Sequence, residues 1–305
     1  MDKRFSRTCM IMGEDAVRAL ESSRVAVFGA GGVGGYVIEA LARSGVGHID
    51  IIDNDKVCAS NINRQIIATE DTVGRYKVDV ARERILSINP AIKVKTYRCF
   101  YLPDGRTLDA DGNVVKMNVD PERDTAENEQ DISGGDQEKQ DSADIDFSKY
   151  DYIVDAVDTV TAKLGIIAEA GKHGIPVISA MGCGNRLDPT KLKVADIFET
   201  KGDPLSKIMR KELKKRGIDS LKVVYSTEEP IKPITAEDNG KHVQEAEESS
   251  LMNEQESMLK TEQEQDGTED NIRVTRRDTP GSAVFVPAAA GLIIASVVCR
   301  ELAGI

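Results

Sequence analysis

The sequence predicts an α/β protein with a Rossmann-like, doubly wound, mainly parallel sheet, helices on both faces and a smaller C-terminal α/β extension. Two observations predict this fold. Short apolar segments alternate with segments of helical periodicity over much of the chain, an order that places helices against both faces of a parallel sheet. A glycine-rich turn over residues 29–34 lies between the first apolar segment and the first helical one, as it does in nucleotide-binding sheets.

The predicted strands are short apolar runs bounded by turn residues. They cover residues 24–29, 48–53, 92–100, 150–158, 176–182 and 221–227. The predicted helices cover residues 32–44, 77–88, 205–217 and 290–302, and one more lies between the fourth and fifth strands. Asn89-Pro90 predicts the end of the second helix, and Asp203-Pro204 predicts a capped start for the helix over 205–217.

The formal net charge of −12 is concentrated in two segments. Residues 120–148 contain 11 Asp and Glu against 2 Lys and Arg, and residues 237–270 contain 12 against 2. Without these charges of −9 and −10, the rest of the chain is basic, with a net charge of +7. Both segments have too few apolar residues to offset the entropy of ordering, and we interpret them as solvated, partly disordered insertions rather than regulatory tails.

These insertions divide the chain into five predicted parts. They are a nucleotide-binding half over residues 1–119, an acidic insertion over 120–148, the rest of the sheet with a basic helix over 149–230, a second acidic insertion over 231–272, and a C-terminal segment with a helix over 273–305.

The sequence predicts a cytoplasmic protein without a membrane span. The N-terminal segment lacks the basic-then-apolar layout of a secretory signal, and the most apolar run is interrupted by Pro287 and is predicted to be a buried helix. The cysteines form no C-x-x-C pair, which indicates a reducing compartment and argues against a four-thiolate zinc site. The five cysteines are Cys9, Cys58, Cys99, Cys183 and Cys299.

The glycine-rich turn and a following acid predict a nucleotide site. Gly29, Gly31, Gly32 and Gly34 let the backbone approach a phosphate, and the helix that follows supplies free N–H groups. Asp53 closes the next predicted strand, 19 residues after Gly34, at the position that binds ribose hydroxyls in such sheets. By itself, this pattern favours an NAD-dependent oxidoreductase.

Three charged residues argue against a dinucleotide ligand. Arg64 lies in the segment SNINRQ after the second strand, Lys77 begins the next helix, and Asp158 follows the fourth strand. Ligands bind at the carboxyl edge of such sheets, and two cations with one acid there suit a triphosphate with Mg²⁺ better than a nicotinamide dinucleotide. Taken singly, each residue also fits a solvated surface position, and Asp158 fits a helix cap.

Four motifs, GAGGVG, DNDKVCASNINRQ, VGRYK and VDAVDT, resemble in this order those of the adenylating superfamily. That superfamily includes the ubiquitin-activating enzymes and the bacterial sulfur-carrier adenylyltransferases, and the resemblance covers about residues 4–190. It implies ATP and Mg²⁺ as cofactors, a homodimer, and attack of a carboxylate on the α-phosphorus of ATP to give an acyl-adenylate. The contribution of the protein would be positioning and charge neutralisation.

The resemblance also implies a role for each matching residue. Arg64, Lys77 and Asp158 would be catalytic, with Asp158 supporting the metal, and Arg7 in the segment RFSR would reach across the dimer interface into the partner's nucleotide site. The phosphate-binding residues would include Gly32 and Asn61. The complete set of implied nucleotide-binding residues is Gly29, Gly31, Gly32, Gly34, Asp53, Asp55, Asn61, Arg64, Gln65, Lys77 and Asp158.

The second half resembles one branch of this superfamily, the tRNA threonylcarbamoyladenosine dehydratases. The matching stretches RLDPTKLKVADI, DPLSKIMRKELKKRG, VVYSTEEP and PGSAVFVPAAAG fall within residues 186–302. The branch activates the threonyl carboxylate of a modified adenosine beside the anticodon, and a ring then closes with loss of AMP. This implies tRNA carrying threonylcarbamoyladenosine as the substrate, with sulfur-transfer proteins as further partners.

The basic helix over 205–217 supports a nucleic-acid substrate, because clustered cations can follow a phosphate backbone. The candidate tRNA-binding residues are Lys207, Arg210, Lys211, Lys214 and Lys215. Arg273, Arg276 and Arg277 form a second basic cluster. A basic helix alone is more often a solvated face, and with aromatic residues at only 4% we predict no base-stacking platform.

Two other functions stay open from the sequence. An adenylyltransferase for the C-terminus of a ubiquitin-like sulfur-carrier protein would share the nucleotide site, although several such enzymes bind zinc through C-x-x-C pairs that this chain lacks. Thioester transfer would need a reactive thiol, and Cys183 and Cys299 are both interpreted as packed residues. A non-catalytic nucleotide sensor is the other alternative, and the set of Arg64, Lys77 and Asp158 argues against it.

Overall fold

The computed structural model describes residues 2–102, 107–108, 114–115, 145–233 and 280–305. Most of the two predicted acidic insertions, and the cluster of Arg273, Arg276 and Arg277, lie outside these ranges. The described residues form a seven-stranded sheet, a small three-stranded antiparallel sheet and seven α-helices.

The first half of the chain supplies three strands of the large sheet and four helices. In chain order these elements are α1 (Ser6–Met12), α2 (Glu14–Ser22), β1 (Arg24–Phe28), α3 (Gly34–Ser44), β2 (His48–Ile52), α4 (Lys77–Ile88) and β3 (Lys93–Tyr97). The three strands are parallel, with Arg24 opposite His48 and His48 opposite Lys93.

The rest of the chain supplies the small sheet, four more strands of the large sheet and three helices. The small sheet consists of β4 (Phe100–Tyr101), β5 (Thr107–Leu108) and β6 (Val114–Val115). The later elements are β7 (Tyr152–Asp155), α5 (Val160–His173), β8 (Val177–Ala180), β9 (Leu192–Asp196), α6 (Pro204–Lys215), β10 (Lys222–Ser226) and α7 (Phe285–Leu302). β9 and β10 lie in the predicted part over residues 149–230 and join the large sheet.

The large sheet has the strand order β3-β2-β1-β7-β8-β10-β9. All neighbours pair in parallel except β9, which pairs antiparallel with β10 at one edge. The order reverses beside β1, which pairs with β2 on one side and with β7 on the other. At such a switch point the loops that leave neighbouring strands diverge and open a crevice at the carboxyl edge of the sheet. The loops after β1 and β7 border that crevice here.

Alternate residues of the central strands face two different helical layers. Val25 and Val27 of β1 pack in the core that contains α3, α4 and α7, whereas Ala26 and Phe28 pack in the core that contains α5. α6 packs on the same face as α5. This alternation buries both faces of the sheet, as parallel sheets require, and the predicted doubly wound arrangement is confirmed.

The C-terminal helix α7 packs directly on α3. A Cβ atom at Gly291 would be 2.5 Å from the carbonyl oxygen of Val33, so this close contact requires glycine. By length and composition α7 is apolar enough to cross a membrane, but half of it is buried inside the fold. The prediction that this segment is a packed helix is confirmed, and its first turn brings Pro287 to the glycine-rich turn.

Some elements differ from the prediction for identifiable reasons. The predicted strand over 92–100 ends at Tyr97, and the chain then turns so that Tyr101 packs 5.6 Å from Phe28 and 5.4 Å from Phe147, between ring centroids. Helix α2 was not predicted, although it buries Ala16, Val17 and Leu20. Helix α1 and the edge strand β9 were not predicted because they contain no buried residue. Neither has the apolar periodicity by which helices and strands are recognised.

Candidate active site

The glycine-rich turn joins β1 to α3, and at two of its positions the backbone leaves no room for a side chain. Gly29 has a φ of +91°, and a Cβ atom there would be 2.6 Å from the carbonyl oxygen of Ala156. A Cβ atom at Gly34 would be 1.7 Å from the carbonyl oxygen of Gly29. The residue before α3, Val33, provides no side-chain cap. The N–H groups of Gly35 and Tyr36 donate to the carbonyl oxygens of Gly31 and Val33, which leaves the N–H groups just before them, at Gly32 and Gly34, to bind an anion.

The segment that contains Arg64 lies over this turn. The Cγ of Arg64 is 3.6 Å and the Cβ of Pro287 is 3.4 Å from the position that a Cβ atom of Gly32 would occupy. The side-chain nitrogen Nε2 of Gln65 is 3.8 Å from the position that a Cβ atom of Gly31 would occupy. The predicted phosphate-binding segment and the predicted glycine turn are therefore adjacent in the fold.

Arg64 is a half-buried cation with neutral partners. Its Nη1 donates to the carbonyl oxygen of Ser60 at 2.8 Å and to Oδ1 of Asn63 at 3.0 Å. No carboxylate in the described chain forms an ion pair with it. Burial lowers the pKa of the Arg64 guanidinium, which remains charged because the ordinary value is very high. An anion placed against it would supply the missing counter-charge.

Asn61 and Gln65 have different parts in the same segment. Oδ1 of Asn61 accepts the N–H of Cys58 at 3.2 Å, and the backbone oxygen of Asn61 accepts the N–H groups of Arg64 and Gln65. Asn61 thus shapes the loop. Gln65 is 6% exposed and its Oε1 has no hydrogen-bond partner within the described residues, so the amide is free to bind a ligand beside the glycine turn.

Asp53 connects the end of β2 to the glycine turn. Its Oδ2 accepts the N–H of Ala30 at 2.7 Å, and its Oδ1 accepts the N–H of Asp55 at 2.8 Å. Burial raises the pKa of Asp53, with a further contribution from Asp55, while Lys77 and the two N–H groups oppose the shift. Each oxygen keeps a free lone pair, so Asp53 retains the acceptor capacity that the predicted contact with ribose hydroxyls needs.

Lys77 begins α4 and is held by carboxylates. Its Nζ is 2.6 Å from Oδ2 of Asp55, and its side chain is only 7% exposed. Burial alone lowers the pKa of Lys77, but Asp53, Asp55 and, more weakly, Asp158 outweigh this effect and raise it overall. The ammonium is therefore charged across the neutral range, in the field of all three acids.

Asp158 follows β7 on the other side of the crevice. It is exposed, and its carboxylate has no ion-pair or hydrogen-bond partner in the described part of the chain. The backbone just before it contacts Gly29, and its charge acts on Lys77. The structure thus brings Arg64, Lys77 and Asp158 together around the glycine turn.

The oxygen donors present suit Mg²⁺ bound together with phosphates. The described residues contain no group of three or more acidic, histidine or cysteine side chains able to enclose a metal. Mg²⁺ rarely uses such a cage and is usually bound by one or two carboxylates, substrate phosphates and waters. Asp158 offers an unpaired carboxylate at the crevice, and its charge acts on Lys77 together with that of Asp55.

The basic helix α6 has fewer free cations than the sequence indicates. Arg210 is half-buried and donates to the carbonyl oxygen of Thr200 at 3.0 Å, so its guanidinium supports the fold. Lys215 lies 2.7 Å from a carboxylate oxygen of Glu212. The exposed lysines of α6 that lack an ion-pair partner among the described residues are Lys207, Lys211 and Lys214.

Arg7 lies away from the phosphate-binding residues of its own chain, because the arm before it packs Phe5 against Gly45, at the end of α3 opposite the glycine turn, whereas Cys183 follows β8 and is partly buried against the core. Arg7 is exposed on α1, which packs against α2. The Sγ of Cys183 lies 3.5 Å from the carbonyl oxygen of Met181, and burial raises the pKa of its thiol to about 11. A thiol that stays protonated at neutral pH is a poor nucleophile, which agrees with the interpretation of Cys183 as a packed residue.

Sequence reasoning matched the segment PGSAVFVPAAAG to a family but did not place it against the glycine turn and the loop that contains Asn63. The N–H of Asn185, after β8, donates to the carbonyl oxygen of Gly281, and Nδ2 of Asn63 donates to that of Ser282 at 2.8 Å. Pro287 then contacts Gly32. The contacts of Asn63 and Gly32 join residues more than 200 positions apart, and a family pattern of the Pro-Gly-Ser segment would be needed to find them from sequence.

Comparisons with known proteins identify the family of this chain. A profile of the ThiF family matches residues 5–193. The tRNA threonylcarbamoyladenosine dehydratase of Bacillus subtilis (strain 168) is 34% identical over 299 residues, which are 98% of this chain and 94% of that protein. The protein of the same name from Escherichia coli (strain K12) is 35% identical over 242 residues, 76% of each chain.

Solved structures give the same result. Crystal structures of E. coli tRNA N6-threonylcarbamoyladenosine dehydratase in complex with ATP and with AMP have a TM-score of 0.68 to this chain at 27% sequence identity. The match covers 99% of this chain and 94% of those chains. The chain therefore belongs to the ThiF family and, within it, to the tRNA threonylcarbamoyladenosine dehydratases.

Proposed function

We propose that this chain is an ATP-dependent enzyme that cyclises threonylcarbamoyladenosine in tRNA by adenylating its threonyl carboxylate. The observation that carries the proposal is the arrangement of Arg64, Lys77 and Asp158 around the glycine turn, in a chain that matches dehydratases over most of its length. A nicotinamide dinucleotide would leave this set of charges without a function.

In the first step an oxygen of the threonyl carboxylate attacks the α-phosphorus of ATP, and pyrophosphate leaves. The glycine turn and the N-terminus of α3 bind phosphate oxygens, and Arg64 and Lys77 stabilise the charge that develops on the leaving group. Arg64 is half-buried and the side chain of Lys77 is almost fully buried. Their attraction to phosphate is therefore stronger than that of an exposed side chain.

The second step needs no nucleophile from the protein. The carbamoyl nitrogen or oxygen of the same nucleoside attacks the acyl carbon, and AMP leaves with the carboxylate oxygen that the nucleoside loses. In the overall reaction ATP is converted to AMP and pyrophosphate, and the nucleoside loses the elements of one water. Because both reacting groups belong to one nucleoside, their effective concentration is high, and the protonated thiol of Cys183 is not required.

Asp158 is the proposed support for Mg²⁺, and Asp55 is a further carboxylate whose charge acts on the same lysine, Lys77. A bound Mg²⁺ would neutralise part of the charge on the phosphates. The contribution of the chain is to keep the carboxylate of Asp158 unpaired and exposed at the crevice and to keep Asp55 fixed by its contact with Lys77.

The tRNA is proposed to contact α6. Lys207, Lys211 and Lys214 are exposed and unpaired within the described residues, and their spacing of three and four places them on one helix face. Such a face binds phosphates without reading sequence. Arg210 and Lys215, predicted as further contacts, are engaged with Thr200 and Glu212 and are proposed to contribute less.

The functional unit is proposed to be a cytoplasmic homodimer. The exposed position of Arg7 on α1, away from the phosphate-binding residues of its own chain, supports a role in the site of a second copy. Met10 and Ile11 on the same helix are 83% and 84% exposed, and apolar residues of this kind favour contact with another surface. Sulfur-transfer proteins stay proposed partners on the family resemblance alone.

Nucleoside analysis tests this function directly. The purified protein is incubated with ATP, Mg²⁺ and tRNA carrying threonylcarbamoyladenosine, and the digested nucleosides are measured by mass spectrometry together with AMP and pyrophosphate. We expect the modified nucleoside to lose one water for each AMP formed. An unchanged nucleoside, with adenylation of a Gly-Gly-ended sulfur-carrier protein instead, would favour the adenylyltransferase alternative.

A further inference from the structure

A charged pair that the proposed chemistry does not use is buried beneath the crevice. Lys163 and Asp155 have side chains that are fully buried, with Lys163 Nζ 3.1 Å from Asp155 Oδ2. Lys163 Nζ also donates to the carbonyl oxygen of Ala180 at 2.7 Å and lies 3.4 Å from Ser179 Oγ. The Ser179 hydroxyl donates to Asp155 Oδ2. All three donors of the ammonium are therefore used, and we call Lys163, Asp155 and Ser179 the buried triad.

The buried triad joins three elements that border the crevice. Asp155 is the last residue of β7, Ser179 lies near the end of β8, and Lys163 lies in the first turn of α5. Lys163 thus connects the carboxyl ends of two neighbouring strands to the helix that follows the loop over residues 156–159. That loop contains Asp158.

The same contacts fix the loop over 156–159 against the glycine turn. Oδ1 of Asp155 accepts the N–H of Val157 at 3.3 Å, while the carbonyl of Ala156 contacts the turn. The side chain of Asp158 has no partner of its own in the described chain. Its position relative to the phosphate-binding residues is therefore set by the backbone of this loop, which the triad holds at both ends.

Stability alone does not account for a buried lysine and aspartate. Burying two charges costs solvation free energy, and apolar residues of similar volume often give an equally or more stable core. The contacts of Lys163 and Asp155 do fix the relative positions of β7, β8 and α5. We propose that Lys163 is a positioning residue for adenylation, which acts through Asp155 and Ser179 to hold Asp158 toward the phosphate-binding residues. This inference rests on the role proposed above for Asp158.

Two variants separate positioning from stability. Lys163→Met leaves the carboxylate of Asp155 buried and unpaired, so we expect a lower Tm and a lower rate. Asp155→Leu/Lys163→Met removes both charges, so we expect its Tm to return toward the wild-type value. AMP formation is then measured in both variants, well below their Tm, as a function of ATP and Mg²⁺ concentration.

Positioning predicts that the double variant stays impaired although it is stable. We expect kcat to remain at least about tenfold below wild type, because small misplacements at a reacting centre are costly. The KM for ATP should change much less, and the Mg²⁺ concentration for half-maximal rate should rise. A double variant with wild-type Tm, wild-type kcat and an unchanged Mg²⁺ requirement would overturn the proposal, since a purely stabilising pair predicts that result.

Asp158→Asn distinguishes failure of this inference from failure of the proposed function. In the wild-type background this change should lower kcat strongly, and in the double variant it should lower kcat less, because Asp158 is already misplaced there. If Asp158→Asn keeps full kcat by itself, the role of Asp158 is wrong and the inference falls with it. If only the double variant keeps full kcat, the role of Asp158 stands and the positioning role of Lys163 is wrong.

Ser179→Ala keeps the test decisive if the double variant does not fold. This change retains both charges and removes one hydroxyl from the triad. We expect a several-fold lower kcat with little change in the KM for ATP. Wild-type kcat and Mg²⁺ dependence in Ser179→Ala would contradict the proposal.

Discussion

Arg64 is a cation that the fold partly withdraws from water without a matching carboxylate among the described residues. Its hydrogen bonds go to a backbone carbonyl and to the amide of Asn63, and burial lowers its pKa. A half-buried charge without a counter-charge costs solvation free energy. Binding of an anion offsets that cost, so the residue is favourable in the ATP complex and slightly unfavourable without it.

Arg64→Ala should therefore abolish turnover without destabilising the protein. We expect AMP and pyrophosphate formation to fall by at least about 10²-fold, the usual effect of removing one transition-state donor. The Tm of the free protein should stay the same or rise slightly. Arg82→Ala, which removes an exposed arginine of α4, is the control and should keep normal turnover; normal turnover in Arg64→Ala would reject its assigned role.

Cys183 can be tested by its expected lack of effect. Burial raises the pKa of this thiol to about 11, so it is protonated from about pH 7 to about pH 9 and contributes no ionisation step in that range. We expect Cys183→Ala to keep the AMP-forming rate and its pH profile over that range. Loss of turnover, or an acyl group found on Cys183 by mass spectrometry, would instead indicate thioester transfer.

At the level of elements, the glycine turn could be predicted and the path of the chain over it could not. Gly29 and Gly34 are required by contacts with nearby backbone, and the sequence marks them because no other residue fits. Helix α6 shows the limit of charge counting. Its five predicted cations look equivalent in sequence, but Arg210 donates to Thr200 and Lys215 pairs with Glu212. The contact of Arg210 depends on tertiary packing, and that of Lys215 on a neighbour one turn away in the same helix.

Helix α6 should bind tRNA through its three unpaired lysines. Changing Lys207, Lys211 and Lys214 together to Glu should weaken tRNA binding and reduce the slope of log K against log salt by up to about 3. The stabilisation of the protein by ATP should be unchanged, because the nucleotide site is not altered. The matched control changes exposed Arg82, Lys93 and Lys172 on other elements to Glu, and an equal loss of tRNA binding in that control would show that net charge, not α6, is responsible.

For the molecule as a whole, short sequence motifs predicted the strands of the sheet and the nucleotide site. The segment over the crevice and the buried triad depend on long-range contacts and were not predicted. The strands and the residues Asp53, Arg64 and Lys77 are marked by short motifs along the chain. The position of the segment over residues 280–287 depends on the contact between Asn63 and Ser282, and no periodic pattern in the sequence indicates that contact. The buried triad was also missed, because a lysine in a helix and an aspartate at a strand end each have common surface explanations.

The proposed homodimer has a property that a single chain cannot show: Arg7 should complete the site of the other copy. Arg7→Ala and Arg64→Ala should each be inactive alone.

In a mixed dimer, the chain that carries Arg7→Ala keeps its own Arg64 and receives the arginine at position 7 from the other copy, so one of the two sites is complete. With free exchange of equal amounts, about half of the dimers are mixed, and turnover should recover to about a quarter of the wild-type value in a symmetric dimer. If Arg7 acts within its own chain, every site lacks one arginine and mixing recovers nothing. Measuring AMP formation before and after subunit exchange decides between the two, because both variants carry the same total number of arginines in either case.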